Sequence, residues 1–119
     1  MGFTRLQFTV SHPIDLTRST HVELLVDTGA LISFVPRDVL GRVGAPRHFR
    51  RVFRLANGHL IERDLGAAVF SWDGHACVAT VAFGEPGDEP VLGVTALEAM
   101  GLLVDPGGET LRPTDSLLV

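Results

Sequence analysis

The chain has 119 residues, which corresponds to one domain spanning residues 1–119. Hydrophobic residues make up 45% and charged residues 20%, a balance typical of a globular protein and not of a disordered one. The net charge of -4 gives no reason to expect a nucleic-acid or membrane partner, and the ten basic residues are all arginine, which excludes a lysine nucleophile.

Short apolar runs of alternating character, separated by glycine and proline, predict a mainly β chain. The predicted strands cover residues 3–11, 20–26, 32–35, 47–56, 59–72, 75–83, 91–92, 102–105 and 109–112. Two short helices are predicted, one at 37–43 between Pro36 and Gly44 and one at 94–100 before Gly101.

Two dipeptides between predicted strands indicate hairpins. Asn57-Gly58 is the stronger signal, and we expect a two-residue turn there with positive φ at both central residues. Asp73-Gly74 predicts a second hairpin.

The single cysteine, Cys77, cannot form an internal disulfide, which suits a reducing compartment. Because it lies in an alternating apolar run, a half-buried packing role is favoured over a reactive thiol. The first residues lack a signal-type apolar stretch, and no run approaches the length of a membrane span. We therefore expect a cytoplasmic protein.

The segment with the clearest chemical content is the apolar run 24–26 followed by Asp27-Thr28-Gly29. An apolar strand here delivers a carboxylate directly into a tight turn, where Asp27 can hold a proton or accept one from water. Thr28 carries a hydroxyl that can brace the turn, and Gly29 and Ala30 keep the surroundings of the carboxylate small. A simple turn at the end of a strand is the alternative interpretation of the same tripeptide.

One aspartate is insufficient for hydrolysis by this kind of site. Two carboxylates about 3 Å apart share one proton, so one acts as a base toward water while the other donates to the scissile carbonyl. The sequence contains no second Asp-Thr-Gly. If the chemistry is right, a two-fold homodimer supplies the second aspartate.

Three segments, in this order and at this spacing, resemble the retropepsin-like aspartic proteases, the retroviral-type single-domain family (clan AA) that has bacterial relatives. Residues 26–30 match its active-site signature. Residues 55–59, with Ala56, Asn57, Gly58 and His59, resemble its flap hairpin. The apolar pair 91–92 and Gly93, followed by a helix, resemble its second hallmark.

The resemblance implies a mainly β acid-protease barrel with a flap hairpin and one short C-terminal helix. It implies that the strand with Leu92 and Gly93 lies beside the Asp27 turn, and that the hairpin tip at Asn57-Gly58 covers an extended peptide substrate. Retroviral members usually carry a pairing acid and arginine at the positions of Leu31 and Val94. Both are apolar here, so we expect an apolar contact in place of the ion pair.

Other polar residues give weaker signals. The five histidines are scattered without metal-ligand spacing, so we expect surface roles and no metal site. The four arginines at 47, 50, 51 and 54, with Phe49 and Phe53 between them, are interpreted as a solvated strand face, and nucleic-acid binding is the less favoured alternative.

The sequence therefore predicts a hydrolase without a cofactor: an aspartic endopeptidase that activates water at a site shared by two identical chains. Its partners are a second copy of itself and an extended peptide or protein substrate. A catalytically silent domain of the same fold, used for peptide binding or dimerisation, is the alternative from another functional class.

Overall fold

The computed structural model describes residues 4–107 and 109–114, and these form a mainly β chain with 55% strand and 11% helix. In chain order the elements are β1 (Thr4–Ser11), β2 (Ser19–Asp27), β3 (Ser33–Pro36), α1 (Arg37–Arg42), β4 (Arg47–Arg54), β5 (Leu60–Trp72), β6 (His75–Gly84), β7 (Val91–Gly93), α2 (Val94–Ala99), β8 (Leu102–Val104) and β9 (Leu111–Pro113). Phe3, the first residue of the strand predicted at 3–11, lies outside the described residues.

Six strands close into a barrel. Around the barrel their order is β1, β2, β7, β3, β6 and β5, and β5 pairs again with β1 from Ser11↔Val69 to Thr9↔Ser71. Strand β4 lies outside this ring and pairs with β5, while β8 and β9 form a separate two-stranded sheet. The predicted mainly β fold is confirmed at this level.

Alternation along the strands places one set of side chains inside the barrel. Phe8 and Val10 of β1 are buried, as are Leu24 and Val26 of β2. Helix α2 packs against the core, because its residues Ala96 and Leu97 and the following Met100 are buried and belong to the same apolar cluster. The last inward residue of β2 before the turn is Val26, so the strand carries Asp27 to the edge of the core.

The two predicted hairpins are both present, but their turns differ. Asp73 and Gly74 have φ values of 48° and 82°, and Trp72 pairs with His75, so this is a two-residue turn with positive φ at both centres. At the other hairpin only Gly58 has positive φ, 87°, so the expected two-residue turn at Asn57-Gly58 is wrong.

Backbone hydrogen bonds make the turn at 55–59 one residue longer than the expected two-residue turn. The Leu55 N–H donates to the His59 carbonyl at 2.8 Å, and the Gly58 N–H donates to the Leu55 carbonyl at 2.9 Å. Three residues thus separate the paired positions, and only the last of them, Gly58, adopts the left-handed conformation. The Asn57 side chain instead accepts the His59 N–H at 2.9 Å.

Predicted and observed element ends differ by a few residues. The strand predicted at 20–26 extends through Asp27, the one predicted at 47–56 ends at Arg54, and the one predicted at 109–112 is β9. Gly44, with a φ of 72°, follows the end of α1 as expected. Within the described part of the chain, no helix is long and apolar enough to cross a membrane.

Candidate active site at Asp27

The position of Asp27 is fixed by two neighbouring strands. Strand β2 pairs with β7 in parallel, with Val26 opposite Leu92 and Asp27 opposite Gly93. The chain then turns at once, since the Ala30 N–H donates to the Asp27 carbonyl at 3.1 Å. The strand with Leu92 and Gly93 therefore runs beside the Asp27 turn.

The carboxylate of Asp27 is half-buried and held on one side only. Its Oδ1 accepts the Gly29 N–H at 2.9 Å, which orients the side chain over the turn. The hydrogen bonds of the described residues leave Oδ2 without a partner. One oxygen is thus used for positioning, and the other remains open to a water or a second carboxylate.

Gly93 allows the loop after Asp27 to pass very close to β7. A Cβ at Gly93 would lie 2.6 Å from the Ile32 carbonyl carbon and 3.0 Å from the Ala30 carbonyl oxygen. Because both contacts are with backbone, a side chain here would displace the loop. The apolar-apolar-Gly pattern of β7 therefore has a steric cause, which is the crossing of residues 30–32 over Gly93.

Hydrogen bonds fix this crossing from two directions. The Gly93 N–H donates to the buried Ser33 Oγ at 2.9 Å. The Val94 N–H donates to the Ala30 carbonyl at 2.7 Å, and the Thr95 N–H donates to the Leu31 carbonyl at 3.3 Å. The first N–H groups of α2 are thereby satisfied by the Asp27 loop, which ties the candidate catalytic turn to the helix.

Asp27 opens into a cleft of about 590 Å³ between the barrel and the β4–β5 hairpin. We call this space the cleft, and it is lined by Asp27, Gly29, Ala30, Leu31, Ile32, Phe34, Arg51, Phe53, Arg54, Leu55, Ala56, Ile61, Gly87, Asp88, Glu89 and Val91. Most of this lining is apolar, and five charged side chains interrupt it.

One wall of the cleft is aromatic. The rings of Phe34, on β3, and Phe53, on β4, meet edge to face with centroids 5.1 Å apart. Ile61, opposite Phe53 in the β4–β5 pairing, lies on the same wall. These contacts attach the hairpin to the barrel beside Asp27.

Two acidic residues in the cleft besides Asp27 are already neutralised. Asp88 accepts two hydrogen bonds from Arg63, at 2.7 and 2.8 Å, and these hold the pKa of the Asp88 carboxyl below its usual range. The same contact raises the pKa of Arg63. Glu89 pairs with Arg5 at 3.0 Å. Asp27 is therefore the one carboxylate of the cleft lining without an ion-pair partner among the described residues.

Some predicted site residues lie away from the cleft. Asn57, Gly58 and His59 are exposed at the hairpin tip, and of the predicted tip residues Ala56 alone lines the cleft. Leu92 and Gly93 are buried behind the Asp27 turn. In this single chain the tip therefore stands beyond the cleft and does not close it.

Two separate hollows contain the remaining residues considered in the sequence, Thr28, Leu31 and Val94. Thr28 is exposed and lines a second hollow together with Val94 and residues of α2, β8 and the end of the described chain. Leu31 lines the cleft and is 66% exposed. Leu31 and Val94 line different spaces, and the apolar contact expected in place of the ion pair stays a prediction.

The sequence did not point to the aromatic and charged walls of the cleft. Phe34, Arg51, Phe53 and Asp88 come from three separate segments, and their closeness depends on barrel closure. The alternation of Arg51 and Phe53 along β4 was the available signal, but the arginine cluster was interpreted as a solvated face. That interpretation holds for Arg50, which bonds Asp64 on the outer surface.

Other candidate groups do not form a site in the described residues. No three His, Cys, Asp or Glu side chains come together as metal ligands in this part of the chain. Cys77 is half-buried as expected, with its Sγ 3.6 Å from the Ala96 carbonyl, and burial raises the pKa of the thiol.

No protein-family model matches the chain, and no match to a curated protein was found.

Proposed function

We propose that this chain is one subunit of a homodimeric aspartic endopeptidase of the retropepsin-like kind. The observation that carries the proposal is the Asp27 carboxylate, held by the Gly29 N–H at 2.9 Å at the floor of a cleft beside the β4–β5 hairpin. Asp105 makes the same backbone hydrogen bond but does not line the cleft, so the position of Asp27 in the cleft is what supports the proposal.

The need for a second chain follows from the charges of the cleft. Asp88 and Glu89 are each bound to an arginine, and neither forms a hydrogen bond with the Asp27 carboxylate. A second copy, related by a two-fold axis close to Asp27, supplies an identical aspartate. The exposed positions of Thr28 and Gly29 leave room for that approach.

The proposed reaction is hydrolysis without a covalent intermediate. One Asp27 of the dimer, ionised, takes a proton from a water held between the two carboxylates, and the water oxygen attacks the peptide carbonyl carbon. The other Asp27 donates its proton to the carbonyl oxygen. Collapse of the tetrahedral species breaks the C–N bond, and the departing nitrogen receives a proton from the dyad.

The substrate in this proposal is an extended peptide. The hairpin is a two-stranded arm that borders the cleft, and a peptide lying between it and the Asp27 turn presents alternate side chains to the apolar wall. Closure of the hairpin tip over the peptide excludes water from the reacting bond, which strengthens the electrostatic interactions there.

The test compares two aspartates of similar local structure. Asp105 also accepts a backbone N–H two residues ahead, from Gly107 at 2.8 Å, but it does not line the cleft. Purified chain, Asp27→Asn and Asp105→Asn are incubated with a mixed peptide library from acid to neutral pH, and products are identified by mass spectrometry. We expect cleavage by the unchanged chain and by Asp105→Asn, and none by Asp27→Asn.

Two outcomes contradict the proposal. Cleavage that persists in Asp27→Asn removes Asp27 from the chemistry. No cleavage by any of the three proteins, across the pH range and at high chain concentration, favours a silent peptide-binding or dimerisation domain.

A further inference from the structure

Arg51 belongs to the cleft side of strand β4. Residues alternate along a strand, so Arg51 shares a face with Phe53, whose ring packs on Phe34 in the cleft wall. The Arg51 guanidinium carbon lies 5.9 Å from the centre of the Phe53 ring. Arg50, one residue earlier, faces the other way and bonds Asp64 and Glu62.

The charges on this wall do not balance within the described chain. Asp88 is bound by Arg63 and Glu89 by Arg5, whereas Arg51 has no carboxylate within ion-pair distance among the described residues. Asp27 belongs to the proposed dyad and carries the reacting proton. Arg51 therefore places a cation without a bound carboxylate beside the apolar Phe34–Phe53 contact, and Arg54, the other arginine of the cleft lining, has no ion pair among the described residues either.

The pairing of β4 with β5 also brings Arg51 close to a second positive charge. Arg51 stands directly opposite Arg63, and like charges at such positions repel each other. The Arg63–Asp88 pair reduces the repulsion, with the Arg63 side chain only 15% exposed, but it leaves Arg51 uncompensated. An anion arriving from outside the chain relieves this imbalance.

We propose that Arg51 is a specificity-determining residue that binds an acidic side chain of the substrate peptide. The inference rests on the proposed function in that it assumes a peptide lying in the cleft. The carboxylate of a substrate Glu or Asp meets the Arg51 guanidinium, which suits planar two-point recognition of a carboxylate.

The strand geometry also gives the spacing of the preferred sequence. Phe53 lies two residues from Arg51 on the same face, which is a separation of about 7 Å along an extended strand. A peptide that runs along β4 presents side chains to that face at the same interval. The preferred substrate therefore carries an acidic residue two positions from a large apolar residue, with any residue between them.

The test measures binding separately from cleavage. The probes are fluorescein-labelled heptapeptides of Ser, Thr and Ala with one Phe and with Glu two positions before or after it, each matched by a peptide with Gln in place of Glu. Binding to the Asp27→Asn chain is measured by fluorescence anisotropy. We expect the better Glu peptide to bind about fivefold more tightly than its Gln match, the scale of an exposed charge pair.

Substitutions then assign the preference to Arg51. In the Asp27→Asn chain, Arg51→Gln should abolish the difference between Glu and Gln peptides, and Arg51→Glu should reverse it toward peptides with Arg in place of Glu. Arg42→Gln removes the same charge from the exposed end of α1, outside the cleft, and should leave the preference intact. High salt should weaken the preference, since an exposed pair is screened.

The outcomes separate this inference from the proposed function. A Glu preference that depends on Arg51 in a chain that cleaves nothing supports the acidic subsite and contradicts the protease. Cleavage without any Glu preference, or with one that persists in Arg51→Gln, contradicts the subsite and leaves the protease standing. Failure of both Glu and Gln peptides to bind overturns the inference.

Discussion

Ser33 has a structural role that its residue type alone does not indicate. Its hydroxyl is buried and accepts the N–H of Gly93 at 2.9 Å, next to the position where β7 meets Asp27. Ser33→Ala leaves that N–H buried without a partner, because the surrounding contacts exclude water. The residue therefore links the loop after Asp27 to the strand beside it.

Replacing Ser33 by alanine should lower the free energy of unfolding by about 1–3 kcal/mol, the usual cost of a buried unsatisfied donor. Urea denaturation measures the change. The control is Thr80→Ala on the exposed face of β6, which should stay within about 0.5 kcal/mol of the unchanged chain. Equal stabilities for the two variants would show that the Gly93 N–H does not depend on Ser33.

At the scale of single residues, the sequence predicted features that depend on neighbouring residues in the chain. Asp27-Thr28-Gly29 follows an apolar strand, and the chain turns directly after Asp27, as predicted. Ser33 could not be assigned in this way, because its partner Gly93 is distant in the chain and a serine in a short strand has many possible partners.

At the scale of the element, β7 requires glycine where the loop crosses it. Gly93→Ala places a Cβ 2.6 Å from the Ile32 carbonyl carbon, so the backbone at Ile32 has to move. We expect a loss of about 1–3 kcal/mol in the free energy of unfolding, as for other overpacked sites. Peptide cleavage should fall as well, because the displaced loop carries the Asp27 turn.

The matched control for this substitution is Gly41→Ala in helix α1. Nothing lies within 4 Å of a Cβ at Gly41, so alanine there should stabilise the chain by about 0.5–1 kcal/mol. Thermal unfolding of both variants tests the pair. A Gly93→Ala chain as stable as the unchanged one would contradict the steric role of Gly93.

The Arg63–Asp88 contact makes the stability of one cleft wall depend on pH. Arg63 lowers the pKa of the Asp88 carboxyl in the folded chain, so the carboxylate stabilises the fold at pH values above its unfolded-state pKa. That stabilisation disappears as the pH falls through the lower, folded-state pKa. Asp64, bound by Arg47 and Arg50, has its pKa shifted in the same direction.

We therefore expect the urea midpoint of the unchanged chain to fall as the pH is lowered from about 5 to about 2, and to fall less in Asp88→Asn. Asp73→Asn, in an exposed turn where asparagine is well tolerated, should retain the full pH dependence. If Asp88→Asn shows the same decrease as the unchanged chain, the Arg63–Asp88 pair is not a source of acid sensitivity.

At the scale of elements, the strands were predicted well because alternation is a local property. The turn type at Asn57-Gly58 was not predicted correctly. The same dipeptide fits loops of two or three residues, and the strand register decides between them. The cleft wall was missed for a similar reason. Phe34 and Phe53 meet only after β3 enters the barrel and β4 folds back along β5.

At the scale of the whole molecule, the proposed site is complete only in a pair of chains. Mixed dimers of unchanged chain and Asp27→Asn carry one aspartate and should be inactive. Adding an equal amount of Asp27→Asn to a fixed amount of unchanged chain should therefore reduce peptide cleavage to about half, if subunits exchange at random. Native mass spectrometry measures the mixed dimer.

The same mixture distinguishes an active site shared by two chains from an active site contained in each chain. Activity that is unchanged by Asp27→Asn, although mixed dimers form, would mean that each chain cleaves on its own. Specific activity should also rise with chain concentration, since dilution separates the two halves of the site.

Strand β4 pairs only with β5 in the described structure, so its outer edge presents backbone N–H and C=O groups to solvent. An edge of this kind is a template for addition of further chains, and charged side chains are a common protection against fibril growth. Four of its eight residues are arginine, and a register shift between Arg47 and Phe49 further interrupts the edge. The arginines of this strand therefore also limit self-assembly. Replacing several of them by uncharged residues to change substrate preference should produce a chain that aggregates.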